Sequence, residues 1–214
     1  MKKIAIFDFD GVIVDSLMIK LDAFIHCFGI PLADEQKEQA KQIHLSTGGI
    51  PRAIKIQTML DAFQSESIKG SMDEFLKRFQ ITLDDRMCAL KIDDQTRSML
   101  DTLREKGIYL FINSAAPVNE IKETLANNNV LEYFGAVFGG DVRKPENFDK
   151  IAEITGDDAS RVFIGDADYD EQAAYERAVP FIRYIGYGDL FSTPAQGPTT
   201  SSMGELTDTI MTML

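Results

Sequence analysis

Cysteine is scarce in this 214-residue chain, basic residues are outnumbered, and no apolar run is long. Only Cys27 and Cys88 could pair, and their spacing is not that of a metal site, so both are expected to be reduced, half-buried small residues in a reducing compartment. Lys and Arg number 22 against 34 Asp and Glu, a formal charge of −12. Nucleic acids and anionic membranes need a basic face, so neither is expected as a partner. An acidic chain also repels an anionic substrate unless its site gathers positive charge, which points to a bound cation and a placed Lys. No stretch approaches the ~18 apolar residues of a membrane span. Met1-Lys2-Lys3 is followed by four apolar residues and then Asp8, too short a run for a secretory signal, and a cytoplasmic protein is expected. The remaining composition is that of an ordered globular chain, long enough for one domain with an insertion or for two small ones.

Short apolar runs bounded by turn residues recur at Ile4 to Phe7, Ile108 to Ile112, Ala136 to Phe138, Val162 to Ile164 and Phe181 to Ile185. Helical patterns lie between the later ones: Asp94 is expected to cap a helix through Met99, Leu100 and Leu103 that stops at Gly107, and Val118, Ile121 and Leu125 mark the next. Such alternation predicts an α/β fold, a parallel sheet with helices on both faces. From Ser16 to about Asp85 there is helix after helix instead. Leu17, Leu21, Phe24, Ile25 and Phe28 share one face, a second helix begins near Asp34, a third follows Pro51, and a fourth groups Ile68, Met72, Phe75, Leu76 and Phe79. The expected organisation is a core of residues 1–15 and 90–214 with a helical domain of residues 16–89 inserted in it, joined by two crossings that permit hinge closure. Residues 187–202 are expected to be a surface loop before a last helix containing Leu206 and Ile210.

Two acidic clusters follow apolar strands: Asp8-Phe9-Asp10-Gly11 and Gly165-Asp166-Ala167-Asp168-Tyr169-Asp170. Brought to one sheet edge, so many carboxylates repel unless a cation neutralises them, and a few Asp with waters are what Mg²⁺ accepts. Two further strand ends carry Asn113-Ser114-Ala115 and Arg143-Lys144-Pro145. A Ser hydroxyl with the next backbone N–H can hold phosphoryl oxygens, and a Lys supplies positive charge.

In this order the four elements resemble the haloacid dehalogenase superfamily over nearly the whole chain. The helical insertion, with Asp15-Ser16 at its start and the Gly49-Ile50-Pro51-Arg52 turn, is similar to the cap of its phosphoglycolate phosphatase and β-phosphoglucomutase branch. The resemblance implies a Rossmann-like three-layer α/β/α core and a Mg²⁺-dependent phosphatase acting on a small phosphorylated metabolite, as monomer or homodimer. It implies Asp8 as nucleophile and metal ligand, Asp10 as acid and base with its backbone carbonyl on the metal, and Asp166 as the remaining protein ligand. Ser114, the Ala115 amide and Lys144 would hold the phosphoryl group, and Asp170 would orient a ligand water or Lys144. Asp168 is not required by the motif and is expected to be solvated. Asp10 is also what dehalogenases lack, which favours phosphoryl transfer from oxygen.

As the acid, Asp10 must start protonated, and neighbouring carboxylates are expected to raise its pKa. Lys20, Gly49 and Arg52 are candidate specificity residues, with the Ser46-Thr47-Gly48-Gly49 loop and His44 nearby. A phosphomutase is the alternative reading, weakened because Lys20 stands where β-phosphoglucomutases carry a histidine. A non-catalytic phospho-Asp or metal-binding module is a more distant one.

Overall fold

A computed structural model describes the chain from Met1 to Leu214, the side chains of Asp85 and Cys88 excepted. β1 (Lys3–Phe7) leads into α1 (Leu17–His26), α2 (Asp34–Ser46), α3 (Arg52–Phe63) and α4 (Met72–Ala89). Then follow α5 (Asp94–Glu105), β2 (Tyr109–Asn113), α6 (Val118–Asn127), β3 (Phe134–Phe138), α7 (Lys144–Thr155), β4 (Ser160–Gly165), α8 (Asp168–Tyr175), β5 (Phe181–Tyr184), β6 (Thr199–Thr200) and α9 (Met203–Met213). The strands form one parallel sheet in the order β3-β2-β1-β4-β5-β6.

Alternation along β1 explains the layers. Ala5 and Phe7 join the cluster that contains Leu100 of α5, Ile121 of α6 and Ile210 of α9. Ile4 and Ile6 join Phe148 and Ile151 of α7 with Ala173 and Ala174 of α8. Each fully buried Ile or Phe of the strand contributes roughly 1.5–3 kcal/mol, so both faces must be covered. This is the parallel sheet with helices on both faces that the alternation predicts, and the Rossmann-like core that the resemblance implies.

Helices α1 to α4 add no strand. They pack on one another through Phe24 against Phe79 (ring centroids 4.5 Å apart) and Phe28 between Phe63 and Phe75 (5.3 and 5.5 Å). No helix among the described residues is long and apolar enough to cross a membrane.

Four local expectations need correction. α4 starts at Met72, because Ser71 accepts a hydrogen bond from Glu74 N while Glu74 accepts from Ser71 N; Ile68 lies ahead of it. Asp93 rather than Asp94 caps α5, its carboxylate accepting from Thr96 N at 2.8 Å. The 187–202 segment contains β6, a two-residue edge strand too short to leave a periodic signal. Cys27 is wholly buried, its thiol directed at the Phe24 carbonyl oxygen; the Cys88 side chain lies outside the described residues.

Candidate active site

The register brings the candidate residues together. Phe7 is paired with Ile112 on one side and Ile164 on the other, so the residues just beyond the ends of β1, β2 and β4 adjoin. The chain leaves β1 toward β2 and later returns on its other side as β4, a topological switch point of the kind where open α/β sheets bind ligands.

Asp8 is 3% exposed and fixed by three contacts. Its N–H donates to the Ile164 carbonyl at 2.8 Å, Phe9 N donates to its Oδ1 at 2.7 Å, and Lys144 Nζ lies 2.9 Å from its Oδ2. Lys144 opens α7 and also donates to Asp170. Asn113 holds that helix start, donating to the Lys144 carbonyl oxygen at 2.9 Å and accepting from Asn147 at 3.1 Å. The Asp170 carboxylate further accepts from the amides of Asp166 and Ala167.

Gly11 makes the close approach possible. Its φ is +77°, and a Cβ there would stand 1.9 Å from Asp166 Oδ2. Ser114 is 1% exposed, with Oγ accepting from Ala116 N, and with Ala115 it lines the pocket above Asp8.

Electrostatics separate these groups. Burial drives the Asp8 carboxyl up, Lys144 draws it down, Asp170 and Asp10 push it up again, and the net value is about 6. Asp166 is raised well above the ordinary carboxylate range by burial and then by Asp170 and Asp8. For Lys144, burial opposes the ammonium, but Asp170 and Asp8 outweigh it and hold its pKa above the usual lysine value.

Carboxylate oxygens of Asp8, Asp166 and Asp170 lie within 4.8 Å of one another. Asp170 is committed to Lys144 and two amides, which leaves Asp8 and Asp166 as the pair facing a cation. Hard oxygen donors under mutual repulsion suit a divalent ion such as Mg²⁺.

Asp10 departs from expectation. Its carboxylate accepts from Ser16 Oγ at 2.5 Å and pairs with Lys20 Nζ at 2.5 Å. Burial alone would raise its pKa, but Lys20, Ser16 and Arg52 together lower it below the ordinary value, the reverse of the expected rise. Carboxylates in the motif suggested the rise; a cation from α1, ten residues on, reverses it.

Helices α1 to α4 roof the same pocket, a cavity of about 80 Å³ whose lining includes Lys20, Gly49, Arg52 and Lys55 as well as Asp8, Asp10, Ser114, Ala115 and Asp166. Arg52 donates to Gln80 at 2.7 Å and to Glu120 at 2.9 Å and lies over the Phe79 ring. The 46–50 turn is seated closely on the residue that leads into α8: a Cβ on Gly48 would stand 2.5 Å from the Ala167 Cβ. Asp168 is not simply solvated. It accepts from Ser192 N at 2.9 Å, Ser192 Oγ and Thr193 Oγ1, and so holds the loop that brings Leu190 to the pocket wall. Lys55, Glu120, Asn147 and Leu190 escaped the sequence reading; the Arg52-to-Lys55 spacing of one helical turn was the only local signal for any of them.

The sequence pattern of the haloacid dehalogenase-like hydrolases matches residues 5–184. No curated protein matches significantly. Among solved structures the chain is similar to a predicted phosphoglycolate phosphatase from Haemophilus somnus, at 16% identity and a TM-score of 0.78 over 97% of each chain. It is also similar to a predicted phosphatase from Clostridium acetobutylicum (20%, 0.76, 99% of each chain). A β-phosphoglucomutase from Clostridium difficile gives 19% and 0.72 over 96% of this chain and 93% of that one. At these identities the likeness is one of fold.

Proposed function

The chain belongs to the haloacid dehalogenase-like hydrolases, and from that premise we propose that it is a Mg²⁺-dependent phosphatase of a small phosphorylated metabolite, with Asp8 as nucleophile. The observation that carries this reading is the floor of the pocket: Asp8 held at 2.9 Å by a buried Lys144, beside Ser114, with Asp10 two residues on and off that ion pair.

In the first displacement an Asp8 oxygen bonds to phosphorus as the ester P–O bond breaks, and Asp10 gives a proton to the leaving oxygen. Water then attacks the aspartyl-phosphate, Asp10 takes its proton, and the Asp8–phosphorus bond breaks to release phosphate. Lys144, Ser114 Oγ and the Ala115 amide offset charge on the phosphoryl oxygens. A Mg²⁺ ion held by Asp8, Asp166 and the Asp10 carbonyl would relieve repulsion between the attacking carboxylate and the phosphoryl group.

To act as acid, Asp10 must gain a proton that the Lys20 pair opposes. A substrate that draws Lys20 to its own oxygens removes that opposition, so leaving-group activation is tied to an occupied pocket. The helical segment of residues 16–89 then serves as a cap that recognises the leaving group, and a small roofed pocket over the sheet edge supports a small molecule as the partner.

Phosphate release from a panel of phosphorylated metabolites and from p-nitrophenyl phosphate, with Mg²⁺ or with EDTA, tests the proposal. Release should require the metal, and Asp8→Asn should lower kcat on the order of 10⁴-fold or more. Interconversion of hexose phosphates without release would replace the reading with a phosphomutase, and turnover undiminished in Asp8→Asn would remove the nucleophile.

A further inference from the structure

Three cations of the roof, Lys20, Arg52 and Lys55, line the pocket, and two of them are paired with carboxylates. Lys20 pairs with Asp10 at 2.5 Å and Arg52 with Glu120 at 2.9 Å. Lys55, one turn along α3 from Arg52, is 5% exposed and lines the same pocket as Asp8 and Ser114. Among the described residues its Nζ meets no carboxylate. It lies 3.2 Å from both His44 Nδ1 and the His44 carbonyl oxygen, and 5.4 Å from the Phe24 ring centre.

His44 is itself pinned. Its Nε2 is 2.9 Å from the Leu17 carbonyl oxygen, to which only an N–H can donate, and this leaves Nδ1 as the acceptor for the Lys55 ammonium. Burial and then Lys55 push the imidazole pKa down to about 3, so His44 brings no charge. Burial and Lys20 lower the Lys55 pKa to about 8 while the more distant Asp10 and Asp166 draw it up, and it stays cationic at neutral pH. Two neutral acceptors thus aim a buried ammonium without neutralising it. Desolvating an ion is expensive, and an anion at that point offsets the cost.

We infer that Lys55 is a specificity-determining residue that takes a second anionic group of the substrate, carried on the part that departs with the ester oxygen. The inference rests on the phosphatase reading and narrows it to phosphomonoesters that bear a carboxylate or a second phosphate. The floor holds the group being transferred; the roof, through Lys55, reads the other end. His44 is a positioning residue, acting through the Lys55 ammonium.

Matched substrates test it. kcat/KM is measured for 2-phosphoglycolate against ethyl phosphate and for glucose 1,6-bisphosphate against glucose 1-phosphate. The wild-type protein should prefer the doubly acidic member of one pair. Lys55→Met should lower that ratio by about 30-fold, and Lys55→Arg should restore part of it. The pair that responds identifies the anion. A ratio untouched by Lys55→Met, or no preference in either pair, overturns the inference. Reading a ratio cancels any general loss of folded enzyme. Calorimetric binding of the same four compounds to Asp8→Asn, with and without Lys55→Met, reads the preference without turnover. Absence of Asp8-dependent release from every substrate strikes the phosphatase reading; release with an unmoved ratio strikes only the role of Lys55.

Discussion

At the floor of the pocket Lys144 is enclosed by Asp8 and Asp170, all three nearly inaccessible, whereas Lys20 of the roof and the Asp10 it reaches down to keep 13% and 24% of their side-chain surface. The floor is built from the ends of strands and the first residue of a helix, and it sets the one Lys144 ammonium among the carboxylates of Asp8, Asp166 and Asp170, an anionic excess. The roof is built from residues of α1, α2 and α3 that meet a different part of the chain, and the charges it brings to the pocket are cationic. A buried, anionic set is suited to one unchanging task, the handling of a phosphoryl group with a cation; a cationic and partly open set is suited to selecting what accompanies that group.

The sharpest test of this contrast is to remove one cation from each region. Lys144→Met leaves Asp8 and Asp170 buried together, and should destabilise the protein by about 3–5 kcal/mol while lowering kcat/KM about 10³-fold. Lys20→Met leaves a partly hydrated Asp10 and should cost about 1 kcal/mol or less in stability. Urea denaturation of both variants measures the difference. Equal losses would mean that the floor and the roof are one electrostatic unit.

The floor was legible in the sequence because position along a strand determines where its last residue points. Asp8, Ser114 and Asp166 each follow an apolar run, and Lys144 precedes a Pro that starts a helix. What the alternation could not supply was the partners. Asn147 reaches Asn113 across 34 residues, and Glu120 reaches Arg52 across 68. The Asp10 pKa was misjudged for the same reason: its neighbours in sequence are acidic, while its neighbour in space is Lys20. Roof candidates Lys20, Gly49 and Arg52 were found through the resemblance, but Lys55 was not, because a Lys on an amphipathic helix gives no sign of which face it occupies.

A second test separates the floor's own charge from what a metal adds. Asp8 has its folded-state pKa raised from 3.8 to about 6, and Asp166 is raised too, so in chelator the folded protein holds protons there that the unfolded chain has lost. That contribution to stability is complete below about pH 4 and fades as pH rises through 6, worth about 3 kcal/mol for Asp8 alone. Magnesium must displace those protons, so its stabilising effect should be small at pH 5 and grow toward pH 7.5. Thermal melts with Mg²⁺ and with EDTA across this range measure it as a difference, which cancels opposing groups such as His44. A metal effect independent of pH would mean that the cation does not bind at Asp8 and Asp166.

The smallest effect is expected where the two regions meet. Asp168 ties down Ser192 and Thr193, and the same loop carries Leu190 into the pocket wall. Arg183, paired with Glu171, also holds it, donating to the Thr193 and Pro194 carbonyl oxygens at 2.7 and 3.1 Å and stacking on Phe191. With that second anchor intact, Asp168→Ala should cost only about 1 kcal/mol. Its mark should appear in KM, raised a few-fold as Leu190 loosens, with kcat nearly unchanged because no floor contact is touched. A fall in kcat instead would mean that the loop positions the Asp166 to Asp170 turn, and that floor and roof are coupled through it.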